Sequence, residues 1–143
     1  MKNTILIIII FLFSCTSKIK IRRCIDGDTI VSTMGEKIRL AEIDAPESNQ
    51  FYGLEARQAL AFLIAGKCIT LKRKGKDKYH RTIGDLYLQD GTWINERMVL
   101  SGYAWSYNYD LIEDQRKAQR EHFGMWQFSG NIEPYIWRKE HKH

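Results

Sequence analysis

Four short segments bring acids and arginines together: Ile25-Asp26-Gly27-Asp28-Thr29, Ile38-Arg39-Leu40, Asp44-Ala45-Pro46-Glu47 and Asp77-Lys78-Tyr79-His80-Arg81. Asp28 and Asp44 are hard oxygen ligands, suited to Ca²⁺ or Mg²⁺ and poor for zinc. Two carboxylates cannot fill a Ca²⁺ sphere of about 6–8 oxygens, so carbonyls, water and a substrate oxygen must complete it. Pro46 stiffens the turn that presents Asp44 and Glu47. A spare carboxylate such as Glu47 can orient or deprotonate water. Arginines such as Arg39 and Arg81 can stabilise charge on a phosphoryl group, and can do so with two parallel bonds.

Each residue taken singly has an ordinary reading. Asp-Gly-Asp is a common turn, and an acid after proline favours a helix N-terminus. Arg39 alone is a strand cation on the surface, and Tyr103, Trp105, Tyr107 and Tyr109 serve as packing. The weight lies in co-occurrence: five charged residues fall where one mechanism needs them.

The strands and helices that carry these residues are read from pattern. Ile19–Ile25, Thr29–Thr33 and Lys37–Ile43 read as strands, broken at Asp26-Gly27 and Met34-Gly35-Glu36. A helix over roughly Tyr52–Ala65 carries Ala56, Leu60, Leu63 and Ile64 as its apolar stripe, with Gly66 as its stop. Cys68–Arg73 and Ile83–Leu88 read as the fourth and fifth strands. Between them, residues 72–78 form a basic loop with five lysines or arginines in seven residues. Thr92 caps a helix to about Leu100, with Gly102 ending it. Asp110 and Glu113 form a capping box for a last helix to about Phe123, its wet face carrying Glu113–Lys117 and Lys117–Glu121 pairs. The order β-β-β-α-β-β-α-α is α+β. It fits a five-stranded OB-fold β-barrel with three helices, and other α+β folds share it.

The chain has 143 residues, 44% apolar and 27% charged, which bounds it to one ordered domain and excludes wholesale disorder. The net charge of +5 permits an anionic partner such as nucleic acid without establishing one. Lys2 precedes a nine-residue apolar run, Ile5 to Phe13. That is too short for a bilayer core, which needs about 20 helical residues, and it reads as an export signal over residues 1–14. Leu12-Phe13-Ser14-Cys15 resembles a bacterial lipobox. It gives a cell-envelope lipoprotein held in the membrane by lipid on Cys15, with simple secretion and an uncleaved anchor as alternatives. Residues 15–18 are then a tether, 19–137 the domain and 138–143 a frayed polar tail. Cys24 and Cys68 read as two buried, unreactive thiols, a disulfide being the lesser reading in an oxidising compartment.

The strings I-D-G-D-T, R-L-x-x-I-D-A-P-E and D-K-Y-x-R, in this order, resemble the staphylococcal nuclease family from about Ile19 to Trp126. Gly-Tyr-Ala at 102–104 and Gly-Met-Trp at 124–126 add to the likeness. The resemblance implies an OB-fold barrel with three helices and Ca²⁺-dependent hydrolysis of DNA and RNA, leaving 3′-phosphate ends. A monomer is expected. The resemblance implies that Asp28 and Asp44 hold Ca²⁺, with the backbone carbonyl of Ala45, where the family often has Thr. By the same likeness Glu47 is the general base, and Arg39 and Arg81 contact the reacting phosphate. Lys78 and Tyr79 sit at a neighbouring phosphate, and Asp26 stands behind the metal ligands. His80 stands where the family often has Gly, and Tyr107 and Tyr109 are candidates for stacking on a base. A non-catalytic OB module that only binds nucleic acid is the competing function. The presence of all the acids and both arginines argues against it.

Overall fold

The computed structural model describes residues 16–141. The expected leader, its Cys15 and the last two residues lie outside the described residues. Among those described, no helix is long and apolar enough to cross a membrane.

Among the described residues there are eight strands: β1 (Thr16–Ile19), β2 (Ile21–Cys24), β3 (Thr29–Ser32), β4 (Lys37–Leu40), β5 (Ile43–Asp44), β6 (Ile69–Lys76), β7 (Thr82–Tyr87) and β8 (Trp105–Ser106). The helices are α1 (Gly53–Ile64), α2 (Ile94–Leu100), α3 (Ile112–Arg120) and α4 (Pro134–Glu140), with a 3₁₀ turn over Gly124–Gln127. The main sheet has the order β1-β6-β7-β4-β3-β2, while β5 pairs with β8. Only Lys20 separates β1 from β2. One extended segment therefore pairs with β6 through its first half and with β3 through its second, which closes the sheet on itself. Counting β1 and β2 as one strand, with β3, β4, β6 and β7, gives five barrel strands as expected, but the first begins inside the expected tether, where Thr16–Lys18 pair with β6. The β5–β8 ribbon and α4 are additions to the expected set.

The inside of the barrel is filled by Ile30, Ile38, Leu40, Ile69, Leu71 and Leu86, all fully buried. Ala56, Leu60 and Ile64 of α1 close one end, spaced four residues apart along its inner face. Ile94, Met98 and Val99 of α2 complete the core. Asn95 is the polar pin: its amide nitrogen donates to Ala41 O at 2.9 Å, and its oxygen accepts from Leu86 N at 3.1 Å. A buried side-chain amide satisfied on both sides fixes α2 against the barrel without an unpaired group.

Several local expectations change. The third strand does not run through to Ile43. Glu42 adopts φ 64°, which breaks the ladder and sends Ile43 and Asp44 to β8. The expected basic loop at 72–78 is largely strand, because β6 continues to Lys76 over a bulge between Arg73 and Gly75. Thr92 does not cap α2; its amide donates to Asp90 Oδ1 in the preceding turn. The capping box of α3 does not form either. Leu111 stands at that position, and Leu111 N donates instead to Ser106 Oγ. Glu113 pairs with Arg116 rather than Lys117, and Glu121 lies beyond the helix. The boundary expected before residue 138 falls inside α4. Both cysteines are free, but only Cys24 is partly buried, its thiol pushed up to about 11 by burial and by Asp26; Cys68 is exposed.

The two weakly indicative glycine motifs prove to be one contact. Gly102 and Gly124 have φ 73° and 54°, and Met125 N donates to Gly102 O at 2.9 Å. A Cβ on Gly102 would lie 2.1 Å from Phe123 O, so only glycine permits this approach.

Candidate active site

A cleft of about 860 Å³ opens where the Asp26–Asp28 turn, β4, β5, the 77–81 turn and α4 meet. It is lined by Asp26, Asp28, Glu42, Asp44, Glu47 and Asp77, and by Lys37, Arg39, Lys74, Lys78, Arg81 and Arg138. Six acids thus face six bases, so the cleft is strongly polar without being uniformly basic.

Asp28 and Asp44 come from different strand ends and converge on one guanidinium. Arg39 Nη2 lies 3.1 Å from Asp28 Oδ2 and 2.9 Å from Asp44 Oδ1. Arg39 Nη1 donates to the carbonyls of Leu40 at 2.7 Å and Ile43 at 2.8 Å, so the arginine is locked from both sides. Asp28 is oriented further by its neighbours. Its Oδ2 accepts from Ala45 N at 2.6 Å, its Oδ1 accepts from the Thr29 hydroxyl at 2.9 Å, and its own amide donates to Asp26 Oδ1 at 3.0 Å. Asp26 therefore holds the backbone of Asp28 in place. Burial pushes the Asp28 carboxyl up to about 6, against the opposing pull of Arg39. Burial also raises Asp44, with Arg138 and Arg39 pulling it back.

The donors fit a hard divalent cation. Two carboxylates whose oxygens already share one nitrogen can share one ion, and burial makes their charge costly without a cation. Among the described residues no group of three or more His, Cys, Asp and Glu gathers as a metal cage.

Glu47 is held in place by the residues that lead into α1. Its carbonyl accepts from Gln50 N at 2.8 Å, its amide donates to Gln50 Oε1 at 3.1 Å, and α1 begins against it. A Cβ on Gly53 would lie 1.9 Å from the Glu47 carbonyl oxygen. Gly27 has a similar duty beside Asp28, where a Cβ would meet Ala56 and Ala45 at 2.7 and 2.8 Å.

The 77–81 turn builds the opposite wall. Asp77 Oδ1 accepts from Tyr79 N and Arg81 N, each at 2.9 Å, and Asp77 Oδ2 accepts from Arg81 Nε at 2.7 Å. Lys78 Nζ and the Arg81 guanidinium lie 5.1 and 5.5 Å from the Tyr79 ring centre. His80 has φ 62°, which explains why glycine suits that place. Tyr107 lines the cleft, whereas Tyr109 is exposed and does not.

All nine residues singled out from the sequence, Asp26, Asp28, Arg39, Asp44, Ala45, Glu47, Lys78, Tyr79 and Arg81, line this cleft. Lys74, expected in a basic loop, lies on β6 beside two acids. It pairs with Glu42 at 3.1 Å and with buried Asp85 at 3.2 Å. Arg138 was not foreseen. Its Nη1 donates to Asp44 Oδ1 at 3.1 Å and Glu47 Oε1 at 2.8 Å, and its Nη2 to Asp44 Oδ2 at 2.9 Å. Pro134 at the first turn of α4 is the one sequence signal of its helix; nothing local points Arg138 at the cleft.

Residues 37–128, more than half of the chain, match the family described as "Staphylococcal nuclease homologue". The chain belongs to the staphylococcal nuclease family. An "Uncharacterized endonuclease" of Haemophilus influenzae is 38% identical, over 98% of this chain and 85% of its own length. One of the same description from Escherichia coli is 37% identical, over 83% of each chain. A "Micrococcal nuclease" of Shigella flexneri is 38% identical, over 84% of this chain and 79% of its own. Membership of the staphylococcal nuclease family suggests nucleic-acid hydrolysis, and the α+β barrel is the family's fold. The matched segment holds Arg39, Asp44, Glu47 and Arg81, while Asp28 lies before it and Arg138 after it.

Proposed function

We propose that this protein is an exported, Ca²⁺-dependent nuclease that hydrolyses phosphodiester bonds of DNA and RNA and leaves 3′-phosphate ends. The observation that carries the reading is the convergence of Asp28 and Asp44 on Arg39 in a cleft that also holds Glu47, Lys78 and Arg81. Ca²⁺ would be held by the two carboxylates and the Ala45 carbonyl. When bound it would offset negative charge on the phosphodiester oxygens.

The chain's own groups account for the remaining steps. Glu47 takes a proton from water. The water oxygen bonds to phosphorus, the P–O5′ bond breaks, and the leaving O5′ takes up a proton from solvent. Arg39 and Arg81 face the oxygens on which charge grows, and a donor aimed there acts more strongly in the transition state than in the ground state. Lys78 and Tyr79 hold the neighbouring phosphate. Asp77 keeps the Arg81 side chain aimed rather than free to rotate.

Plasmid and RNA digestion with Ca²⁺, and again with excess EGTA, tests the reading. Cleavage that stops with the chelator and leaves 3′-phosphate ends is expected. Undiminished cleavage in EGTA would sink the metal assignment. Binding without cutting would favour the non-catalytic OB-fold reading. Export and lipid on Cys15 rest on the apolar run before Ser14-Cys15. Mass spectrometry of the mature N-terminus checks them, and an unmodified N-terminus elsewhere refutes the lipoprotein without touching the nuclease. A single boundary in sedimentation at the monomer mass is expected.

A further inference from the structure

Two arginines neutralise the acids of the cleft, and they are held very differently. Arg39 is 18% exposed and is bonded to two backbone carbonyls besides the carboxylates. Arg138 is 41% exposed, and the bonds found for its guanidinium go to Asp44 and Glu47. It arrives on α4, a helix whose one buried residue is Pro134. The approach to that helix is steered by Gln50, whose Nε2 donates to Ile132 O at 2.6 Å while its Oε1 accepts from Glu47 N. The segment that orients Glu47 thus also carries the cation that covers it.

Both oxygens of Asp44 accept from Arg138, and Oδ1 accepts from Arg39 as well. A divalent ion on Asp44 would meet the Arg138 guanidinium at a few ångströms, where like charges repel strongly in a half-buried setting. Arg39 is locked, so Arg138 is the group that yields.

We propose that Arg138 is a resident counter-cation which a divalent ion displaces, making α4 a strap across the cleft that opens when the ion binds. While Arg138 is seated it offsets the charge of Asp44, and it occupies Glu47, the proposed base. Cation binding then releases Arg138 from both carboxylates together and leaves Glu47 uncovered. The inference rests on the calcium reading above and adds that the ion competes with a residue of the chain's own C-terminal helix.

The test uses the full mature chain without nucleic acid. Calorimetric titration with CaCl₂ compares the parent with Arg138→Gln, and hydrogen exchange of the α4 amides is followed with and without CaCl₂. Arg138→Gln is expected to bind Ca²⁺ about tenfold more tightly or better, the scale of one charge-assisted hydrogen bond removed from competition. In the parent, Ca²⁺ should speed exchange across α4. Equal or weaker binding by Arg138→Gln, or α4 exchange indifferent to Ca²⁺, would overturn the strap and leave the cleavage assay standing. Failure of both folded proteins to bind Ca²⁺ would overturn the strap and the calcium reading together. Should Arg138→Gln not fold, Arg138→Lys carries the same test, since one ammonium cannot reproduce the guanidinium fork.

Discussion

Asp77 grips Arg81 twice: one carboxylate oxygen accepts from the Arg81 side chain at 2.7 Å, the other from its backbone amide at 2.9 Å. Aim and turn geometry are therefore fixed by a single acid. Asp77→Ala should leave the barrel folded but let the Arg81 side chain wander, lowering kcat by about tenfold or more, since misaimed cations lose transition-state stabilisation. Slight burial opposes ionisation of Asp77, but the bonds from Arg81 and Tyr79 outweigh it and hold the carboxyl below its ordinary 3.8. With the folded value depressed, its contribution to stability is complete above the ordinary 3.8 and is lost as pH falls from there through the lower folded value. Acid unfolding curves of parent and Asp77→Asn should differ most above pH 3.8 and converge below it.

Glu47→Gln keeps shape and removes the base. Arg39→Lys keeps charge and loses the fork that spans Asp28, Asp44 and two carbonyls. Single-turnover cleavage with Ca²⁺ should fall by about 10²–10³ in each, with nucleic-acid binding largely retained for Glu47→Gln. Cleavage within about threefold of the parent in both would show the site to be wrong, since loss of one such group costs far more.

Gly53→Ala probes the seat of Glu47. Its added methyl would fall 1.9 Å from the Glu47 carbonyl oxygen, and backbone must give way. Overpacking of this kind costs about 1–3 kcal/mol. A lowered denaturant midpoint together with a kcat loss is expected. A loss of stability alone would mean that Glu47 keeps its place when α1 shifts.

Lys72 and Lys74 stand two residues apart on β6 and should behave oppositely. Lys74 pairs with Asp85, whose side chain is 4% exposed, so Lys74→Ala leaves a buried carboxylate without its cation and should cost about 1–3 kcal/mol. Lys72 is exposed, and Lys72→Ala should leave stability unchanged while weakening nucleic-acid binding in a salt-dependent way. Chemical denaturation and binding at two salt concentrations separate the two effects.

Much of the site was legible because its chemistry is written in short strings. A motif of three to five residues fixes residue type and local turn together, so Asp26, Asp28, Asp44 and Glu47 could be named with their places at strand ends. Left-handed turns were legible for the same local reason, as with Gly66 and Gly102, whose φ values of 66° and 73° end α1 and α2. Capping was less so. Thr92 and Asp110 have the right side chains, yet Asp90 claims the amide of Thr92 and Ser106 serves the amide of Leu111 at the start of α3. Competing acceptors only two and five residues away decide these two contests.

The acids, Arg39 and Arg81, and most of the barrel strands could be read from the chain alone, because each depends on neighbours within a few residues. The sharing of charge could not, since it was settled when the barrel closed. Lys74 and Asp85 belong to adjacent strands, and a lysine in a basic run reads as solvated until the register sets it against a buried acid. Arg138 lies 94 residues from Asp44 in the chain. No periodicity or spacing reports an ion pair across that separation, because its geometry depends on the closed barrel, the Gln50 bridge and the short helix that Pro134 begins.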